Sequence, residues 1–203
     1  MLKNRKIPVV TLILLGLNII GMIYEYKNGE NLTMYRYAMF QGALRQGEYL
    51  RVVTNAFLHF GISHFLCNMV CLVSFGLSLE NRIGPVKYAV IYAAAILGAG
   101  ILIDQAGGRG LHAGASGAIW GLMTATLVYS LRNGQNPAYA LRGILLNLVY
   151  SFSAGVSWQA HIGGGIGGLV IALLICGNWS KNRYPDSGRY NPYGDDPYGN
   201  GYR

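Results

Sequence analysis

The feature that most constrains this chain is a stretch without any charged side chain, residues 143–180. A helix that crosses a bilayer needs about 20 mostly apolar residues, so this stretch is long enough for two spans. The polar segment 151–157 is the predicted turn between them. Charged residues make up 12% of the chain, against about 25% in an ordinary soluble domain. The sequence therefore favours a membrane protein over a soluble enzyme or a nucleic-acid-binding module.

Further apolar runs precede this stretch. They lie at residues 7–24, 60–79, 88–103 and 111–131. Together with the two later spans, they predict an all-α membrane protein with six transmembrane helices. We expect residues 1–6 to form a cytoplasmic N-terminus and 7–177 to form the helical bundle. Residues 178–203 repeat Pro-Tyr-Gly without apolar periodicity, which predicts a disordered cytoplasmic tail.

The distribution of charge predicts the orientation of the bundle. With the N-terminus in the cytoplasm, most of the 16 Lys and Arg residues fall on the cytoplasmic side, which places both termini there. Because no transit-type leader precedes the first run, we expect a bacterial plasma membrane. The long segment 25–59 mixes aromatic and charged residues, which predicts an interfacial helix in the outer headgroup region. A small soluble loop domain is the alternative.

The histidines share a position near the outer end of a predicted span. They are His59, His64, His112 and His161. Ser116 follows the third of them by four residues, and Asn68 lies one helical turn below the second. Polar groups in lipid need partners and often belong to functional sites. We therefore predict that the functional site lies in this shared layer.

Glycines accompany the two most reactive of these side chains. They are Gly114 and Gly117, on either side of Ser116, and Gly164 and Gly168, which follow His161. Small residues spaced by four allow two helix backbones to approach closely. A serine side chain is short, so a hydrogen bond between Ser116 and His161 needs such an approach. Plain tight packing of the fourth and sixth spans is the alternative interpretation.

Ser116 and His161 are the residue types that nucleophilic acyl transfer requires. A serine hydroxyl becomes a nucleophile when a base within hydrogen-bond reach takes its proton, and imidazole titrates near neutral pH. The backbone N–H of Ser116, the Asn68 amide and the His64 ring N–H are candidate donors to the oxyanion. Asp104 is the alternative third member that would orient His161, and we favour a dyad without it.

Three short motifs resemble those of the rhomboid family of intramembrane serine proteases. Residues 114–117 look like its GxSG motif, residues 64–68 like its HxxxN motif and residues 160–164 like its AHxxG motif. Their order and spacing match, and the resemblance covers residues 7–176. It implies a six-helix bundle of the minimal form, without a folded domain before the first span or a seventh span after the sixth.

The resemblance also implies roles for individual residues. Ser116 would be the nucleophile and His161 the general base, while His64, Asn68 and the Ser116 backbone would form the oxyanion hole. Trp120 stands where the family usually has a tyrosine packed on the catalytic histidine. A lipid-facing indole is the alternative for Trp120. The glycines after the histidine resemble the packing motif of the family's sixth span.

By the same resemblance, the substrates are single-pass transmembrane proteins, cut near their outer ends within the lipid bilayer. No cofactor, metal or nucleic acid is expected, and the sequence does not predict an oligomeric state. Many members carry Trp-Arg in the first loop, whereas Leu50 precedes Arg51 here. The alternatives are a catalytically silent rhomboid-like protein that binds transmembrane clients, a channel or transporter, and a metal site built from the histidines.

Overall fold

The computed structural model describes residues 7–151 and 156–176. The helices are α1 (Val9–Asn28), α2 (Glu30–Tyr37), α3 (Arg51–Thr54), α4 (Gly61–Ile83), α5 (Pro85–Ala106), α6 (Ser116–Arg132), α7 (Ala138–Ser151) and α8 (Trp158–Ile175). Two 3-10 turns, Leu44–Gln46 and Asn55–Phe57, lie on either side of α3. The predicted all-α bundle is therefore confirmed. The predicted N-terminal segment 1–6, most of the predicted turn 151–157 and the tail lie outside the described residues.

Four of these helices are long and apolar enough to cross a membrane. They are α1, α4, α5 and α8. Helix α7 contains a shorter apolar segment, Ala138–Val149. Helix α6 has 17 residues, and at 1.5 Å per residue it rises about 26 Å, less than the hydrocarbon core of about 30 Å. The six-span count accordingly stays a prediction.

The start of the fourth predicted span was wrong. The apolar run begins at residue 111, but the helix begins only at Ser116. His112 instead pairs its backbone with Met39, with the His112 N–H donating to the Met39 carbonyl at 2.7 Å and the reverse bond at 2.9 Å. Gly114, with φ of +136°, then turns the chain into α6. Ser116 is therefore the first residue of its helix.

The segment between α1 and α4 is folded rather than a single interfacial helix. Within this segment, the side chain of Arg51 in α3 is buried. The guanidinium donates to the carbonyls of Tyr35 at 2.9 Å and Ala38 at 2.8 Å, and it pairs with Glu48 at 2.8 Å. These bonds satisfy a buried charge and hold the short helices α2 and α3 together. The location of this segment in the headgroup region stays a prediction.

A buried carboxylate fixes α1 against α4. Glu80 of α4 accepts hydrogen bonds from the backbone N–H groups of Val10 and Thr11, at 2.9 and 2.8 Å, and from the Thr11 hydroxyl at 2.7 Å. The first N–H groups of a helix have no partner within the helix and carry partial positive charge. An acid from a neighbouring helix therefore satisfies them where water is excluded.

Helices α5, α6 and α8 form the tightly packed centre of the bundle. Backbone meets backbone at several glycines, where an added side chain would have no room. A Cβ atom on Gly117 would lie 2.9 Å from the Ala160 carbonyl oxygen, and one on Gly121 would lie 2.9 Å from that of Gly164. Close packing of this kind stabilises helix association in lipid, where there is no hydrophobic driving force between helices. It also fixes the N-terminal ends of α6 and α8 side by side.

Candidate active site

Ser116 and His161 meet at the N-terminal ends of α6 and α8. The Ser116 Oγ lies 3.0 Å from the His161 Nε2, a hydrogen-bond distance. His161 is buried and Ser116 is half-buried, so the serine is the more accessible of the two. A hydroxyl within reach of an unprotonated imidazole nitrogen is the arrangement from which a nucleophilic serine can form.

Glycine makes this contact possible. A Cβ atom on Gly164 would collide with the Gly117 carbonyl oxygen, and one on Gly168 would collide with the Gly121 backbone. The two helices therefore touch through their main chains directly below the serine and the histidine. Because the Ser116 side chain is short, a wider spacing of α6 and α8 would separate the two polar groups.

Trp120 covers one face of the imidazole. Its ring stacks on that of His161, with centroids 5.5 Å apart and planes inclined by 24°. The indole lies one turn along α6 from Ser116, so the same helix carries both the hydroxyl and the stacking ring. An offset aromatic stack restricts the rotation of the imidazole about its Cβ–Cγ bond.

His64 and Asn68 converge on the backbone that precedes Ser116. A Cβ atom on Gly114 would lie 2.8 Å from His64 Cε1, 3.0 Å from its Nε2 and 3.7 Å from Asn68 Nδ2. The Asn68 amide nitrogen is buried and has no hydrogen-bond partner among the described residues. Ser116 opens α6, and the first N–H groups of a helix lie outside its hydrogen-bond ladder. Three potential donors thus surround one small space.

The remaining two histidines are His59, whose ring packs against that of His64, and His112, which has hydrogen-bond partners of its own. The ring centroids of His59 and His64 lie 5.3 Å apart. Burial is the main cause that lowers the pKa of His59 to about 3, and the nearby His64 is the second. His112 contacts the Ser157 Oγ through Nδ1 at 2.8 Å and the Gly107 carbonyl through Nε2 at 2.9 Å. Burial lowers the pKa of His112. Both rings are therefore neutral at pH 7.

The alternative role for Asp104 was wrong. Its carboxylate accepts from the backbone N–H of Leu44 at 2.8 Å and from the Gln105 side chain at 2.9 Å, so it anchors the first loop to the end of α5. The partner of the His161 Nδ1 is instead Ser151, the last residue of α7, whose Oγ lies 2.5 Å away. Ser151 was not among the residues predicted from the sequence. No motif marks it, because its position depends on how α7 packs against α6 in the bundle.

In the described parts of the chain, no three His, Cys, Asp or Glu side chains converge in a group able to hold a metal ion. Two of the four histidines use their ring nitrogens in hydrogen bonds. His161 contacts Ser116 and Ser151, and His112 contacts Ser157 and Gly107. Both rings thus use their nitrogens for partners that metal ligation would displace.

Comparisons with known proteins match this chain to rhomboid proteins. The Rhomboid domain matches residues 46–178. RHOMBOID-like protein 5 of Arabidopsis thaliana is 31% identical over 142 residues, which are 65% of this chain and 46% of that protein. Rhomboid protease GluP of Bacillus subtilis is 30% identical over 186 residues, 85% of this chain and 36% of GluP. The match therefore spans less than half the length of these two relatives.

A third relative is matched over nearly its whole length. YdcA of Bacillus subtilis, a rhomboid protein by name, is 28% identical over 198 residues, which are 89% of this chain and 94% of YdcA. The Rhomboid domain match includes the three motifs as well as α4, α5, α6, α7 and α8. With its apolar helices, the chain is an integral membrane protein, and it belongs to the rhomboid family.

Proposed function

We propose that this protein is an intramembrane serine endopeptidase that uses a Ser116–His161 dyad. The observation that carries the proposal is the 3.0 Å contact between Ser116 Oγ and His161 Nε2, made between two helices that glycines hold in contact. GluP, whose name makes it a rhomboid protease, gives further support through its similarity over 85% of this chain.

In the proposed reaction, the Ser116 oxygen attacks the carbonyl carbon of a substrate peptide bond while its proton passes to His161 Nε2. The tetrahedral intermediate collapses to an ester between Ser116 and the carbonyl carbon, and the imidazolium returns its proton to the departing amine. Water then attacks the ester with His161 again acting as base, which releases the acid product and restores the serine.

The developing oxyanion would lie in the small space beside Gly114. The donors assigned to it are the backbone N–H of Ser116, the Asn68 amide and the His64 ring. The Asn68 Nδ2 has no partner within residues 7–151 and 156–176, which supports this assignment, because a buried donor without a partner is costly unless a ligand or water satisfies it during function.

The proposed substrates are single-pass transmembrane proteins, cut near the outer end of their helix. The shared placement of the dyad at the N-terminal ends of α6 and α8 supports a site close to one membrane face. We further propose six spans, as the apolar runs predict, and cytoplasmic termini, as the charge pattern predicts. The proposed location is a bacterial plasma membrane. The reaction as written uses no cofactor.

The test compares cleavage of a model single-span substrate in liposomes by the wild type, Ser116→Ala and His161→Ala. Ser63→Ala serves as the matched control, because Ser63 is an exposed serine at the N-terminal end of α4. We expect cleavage by the wild type and the control and none by the two dyad variants. A fluorophosphonate probe should label the wild type at Ser116 and fail to label Ser116→Ala.

A rhomboid-like protein that binds transmembrane clients without cutting them is the alternative. It would give a folded wild type that cleaves no substrate and does not react with the fluorophosphonate. Labelling without cleavage would instead identify an active enzyme tested on the wrong substrates. Undiminished cleavage by Ser116→Ala would contradict the proposed dyad.

A further inference from the structure

Ser151 is the described residue that contacts the far side of the His161 ring. Its Oγ lies 2.5 Å from Nδ1, while Nε2 on the opposite side faces Ser116. Ser151 is 8% exposed and ends α7, so the contact joins a third helix to the pair that carries the dyad. Neither the family motifs nor the proposed reaction steps use this residue.

The hydrogen bonds of Ser151 determine the direction of this contact. The Ser151 hydroxyl donates to the carbonyl oxygen of Asn147 at 2.7 Å, one helical turn earlier. A hydroxyl has a single proton, and a carbonyl oxygen can only accept. The lone pairs of Ser151 Oγ are therefore what faces His161, so Nδ1 must carry a proton and donate it.

A neutral imidazole has one ring proton, and the hydrogen bond at one nitrogen decides the state of the other. If Nδ1–H donates to Ser151, Nε2 holds a lone pair directed at the Ser116 hydroxyl. This is the tautomer in which His161 can accept the proton of Ser116. The opposite tautomer would place N–H against O–H and leave the dyad without a base.

We propose that Ser151 is a positioning residue for His161, which accepts a hydrogen bond from Nδ1–H and so keeps Nε2 free to act as base toward Ser116. The assignment rests on the proposed function for its catalytic meaning, but the tautomer itself is a structural property. Ser151 thereby takes, with a neutral hydroxyl, the position that a carboxylate occupies in a serine triad. Asp104 is bound to Leu44 and Gln105 and does not take that position.

The kinetic test uses Ser151→Ala, Ser151→Thr and Thr126→Val. Thr126 is a matched control, because it is buried on α6 and its hydroxyl also bonds the carbonyl one turn earlier, at 2.7 Å from Leu122. We expect Ser151→Ala to lower kcat by about 10- to 100-fold, the size of effect that follows when a metal-bound histidine loses its orienting partner. KM should change little, because the interaction acts on the reacting groups rather than on substrate binding.

Ser151→Thr should restore most of kcat, because threonine keeps the hydroxyl and can bond the carbonyl one turn earlier in a helix. Thr126→Val should leave kcat near the wild-type value although it also removes a buried hydroxyl. An unchanged kcat in Ser151→Ala, or an equal loss in Thr126→Val, would overturn the proposal.

Histidine nitrogen NMR gives a readout that does not depend on activity. In protein labelled with 15N-histidine at neutral pH, the His161 resonances, identified by their loss in His161→Ala, should show a protonated Nδ1 and an unprotonated Nε2. Ser151→Ala should convert part of the population to the other tautomer. A wild type protonated on Nε2 overturns the proposal, whatever its activity. An inactive wild type with the expected tautomer upholds it and counts against the proposed function instead.

Discussion

Gly164 of α8 lies against the Gly117 carbonyl of α6 so closely that a methyl group on Gly164 would collide with it. The neighbouring glycine, Gly165, is in a different situation. A methyl group there would lie 3.6 Å from Thr124 and 3.8 Å from Trp120, which is ordinary van der Waals contact. Two adjacent glycines on one helix therefore separate the effect of helix spacing from the effect of an added methyl group.

We expect Gly164→Ala to push α6 and α8 apart, break the Ser116–His161 hydrogen bond and abolish cleavage. Overpacking of a close contact costs about 1–3 kcal/mol, so the midpoint of thermal unfolding in detergent should also fall. Gly165→Ala should keep activity and unfold no earlier than the wild type, since alanine is the better helix former. Equal activity of the two variants would contradict the importance of this approach.

Trp120 offers a graded test of the stack on His161. We expect Trp120→Tyr to retain activity, because it keeps an aromatic ring one turn from Ser116, and Trp120→Leu to lose it in part. An aromatic pair contributes about 0.5–1.5 kcal/mol beyond its buried area, which corresponds to roughly a two- to tenfold decrease in kcat. Trp158→Leu, which removes an exposed indole on α8, is the control. A leucine variant as active as the wild type would show that the stack does not orient the imidazole.

Hydropathy predicted the long apolar helices well, because each needs only a sustained run of apolar residues. It predicted the start of α6 poorly. The apolar run continues smoothly through Leu111, but the backbone pairing of His112 with Met39, far away in the sequence, keeps that segment out of the helix. A contact between distant segments thus outweighed the local preference for a helix. The hydropathy pattern within the run gives no sign of such a contact.

The candidate site was only partly predictable, because some of its residues carry a motif in the sequence and one does not. Ser116, His161, His64 and Asn68 carry recognisable spacings, and the structure brings them to one place. Ser151 carries no such signal, since a serine near a predicted turn is common. Its contact with His161 depends on the length of α7 and on its packing against neighbouring helices, which are three-dimensional quantities.

The burial of His59 leads to a prediction of how the free energy of unfolding depends on pH. His59 precedes α4, its side chain is fully buried, and burial lowers its pKa from 6.5 to about 3. Below pH 6.5 the unfolded chain binds a proton at this ring, while the folded chain does not until about pH 3. The free energy of unfolding should therefore fall as the pH drops through this window, by at most about 1.4 kcal/mol per pH unit from this group.

The measurement is denaturant unfolding in detergent at several pH values, for the wild type and His59→Phe. A phenylalanine side chain cannot titrate. It would replace a ring whose centroid lies 5.3 Å from those of both His64 and Phe65, so aromatic neighbours surround it. We expect a shallower loss of stability toward acid pH in the variant. Identical pH slopes would mean that His59 is not the group responsible.

Gly114 and Gly110 provide a matched pair for the proposed oxyanion space. Both have nearly the same positive φ, +136° and +134°, so alanine introduces similar backbone strain at either position, of order 1–3 kcal/mol. A methyl group on Gly114 would lie 2.8 Å from the His64 ring, whereas one on Gly110 would have no described residue within 4 Å. We expect Gly114→Ala to lower kcat more than tenfold through the loss of preorganised donors, an effect that usually costs about 10²–10³ in rate.

Gly110→Ala should be destabilised to a similar degree, yet cleave at close to the wild-type rate. The two variants are compared at a temperature where thermal unfolding shows both to be folded, so that a difference in rate reports on the site alone. Fluorophosphonate labelling of Ser116 should slow in Gly114→Ala, since the probe also develops negative charge on an oxygen. If both variants lose activity in parallel, backbone strain rather than the filled space is the cause, and the donors assigned beside Gly114 are the wrong ones.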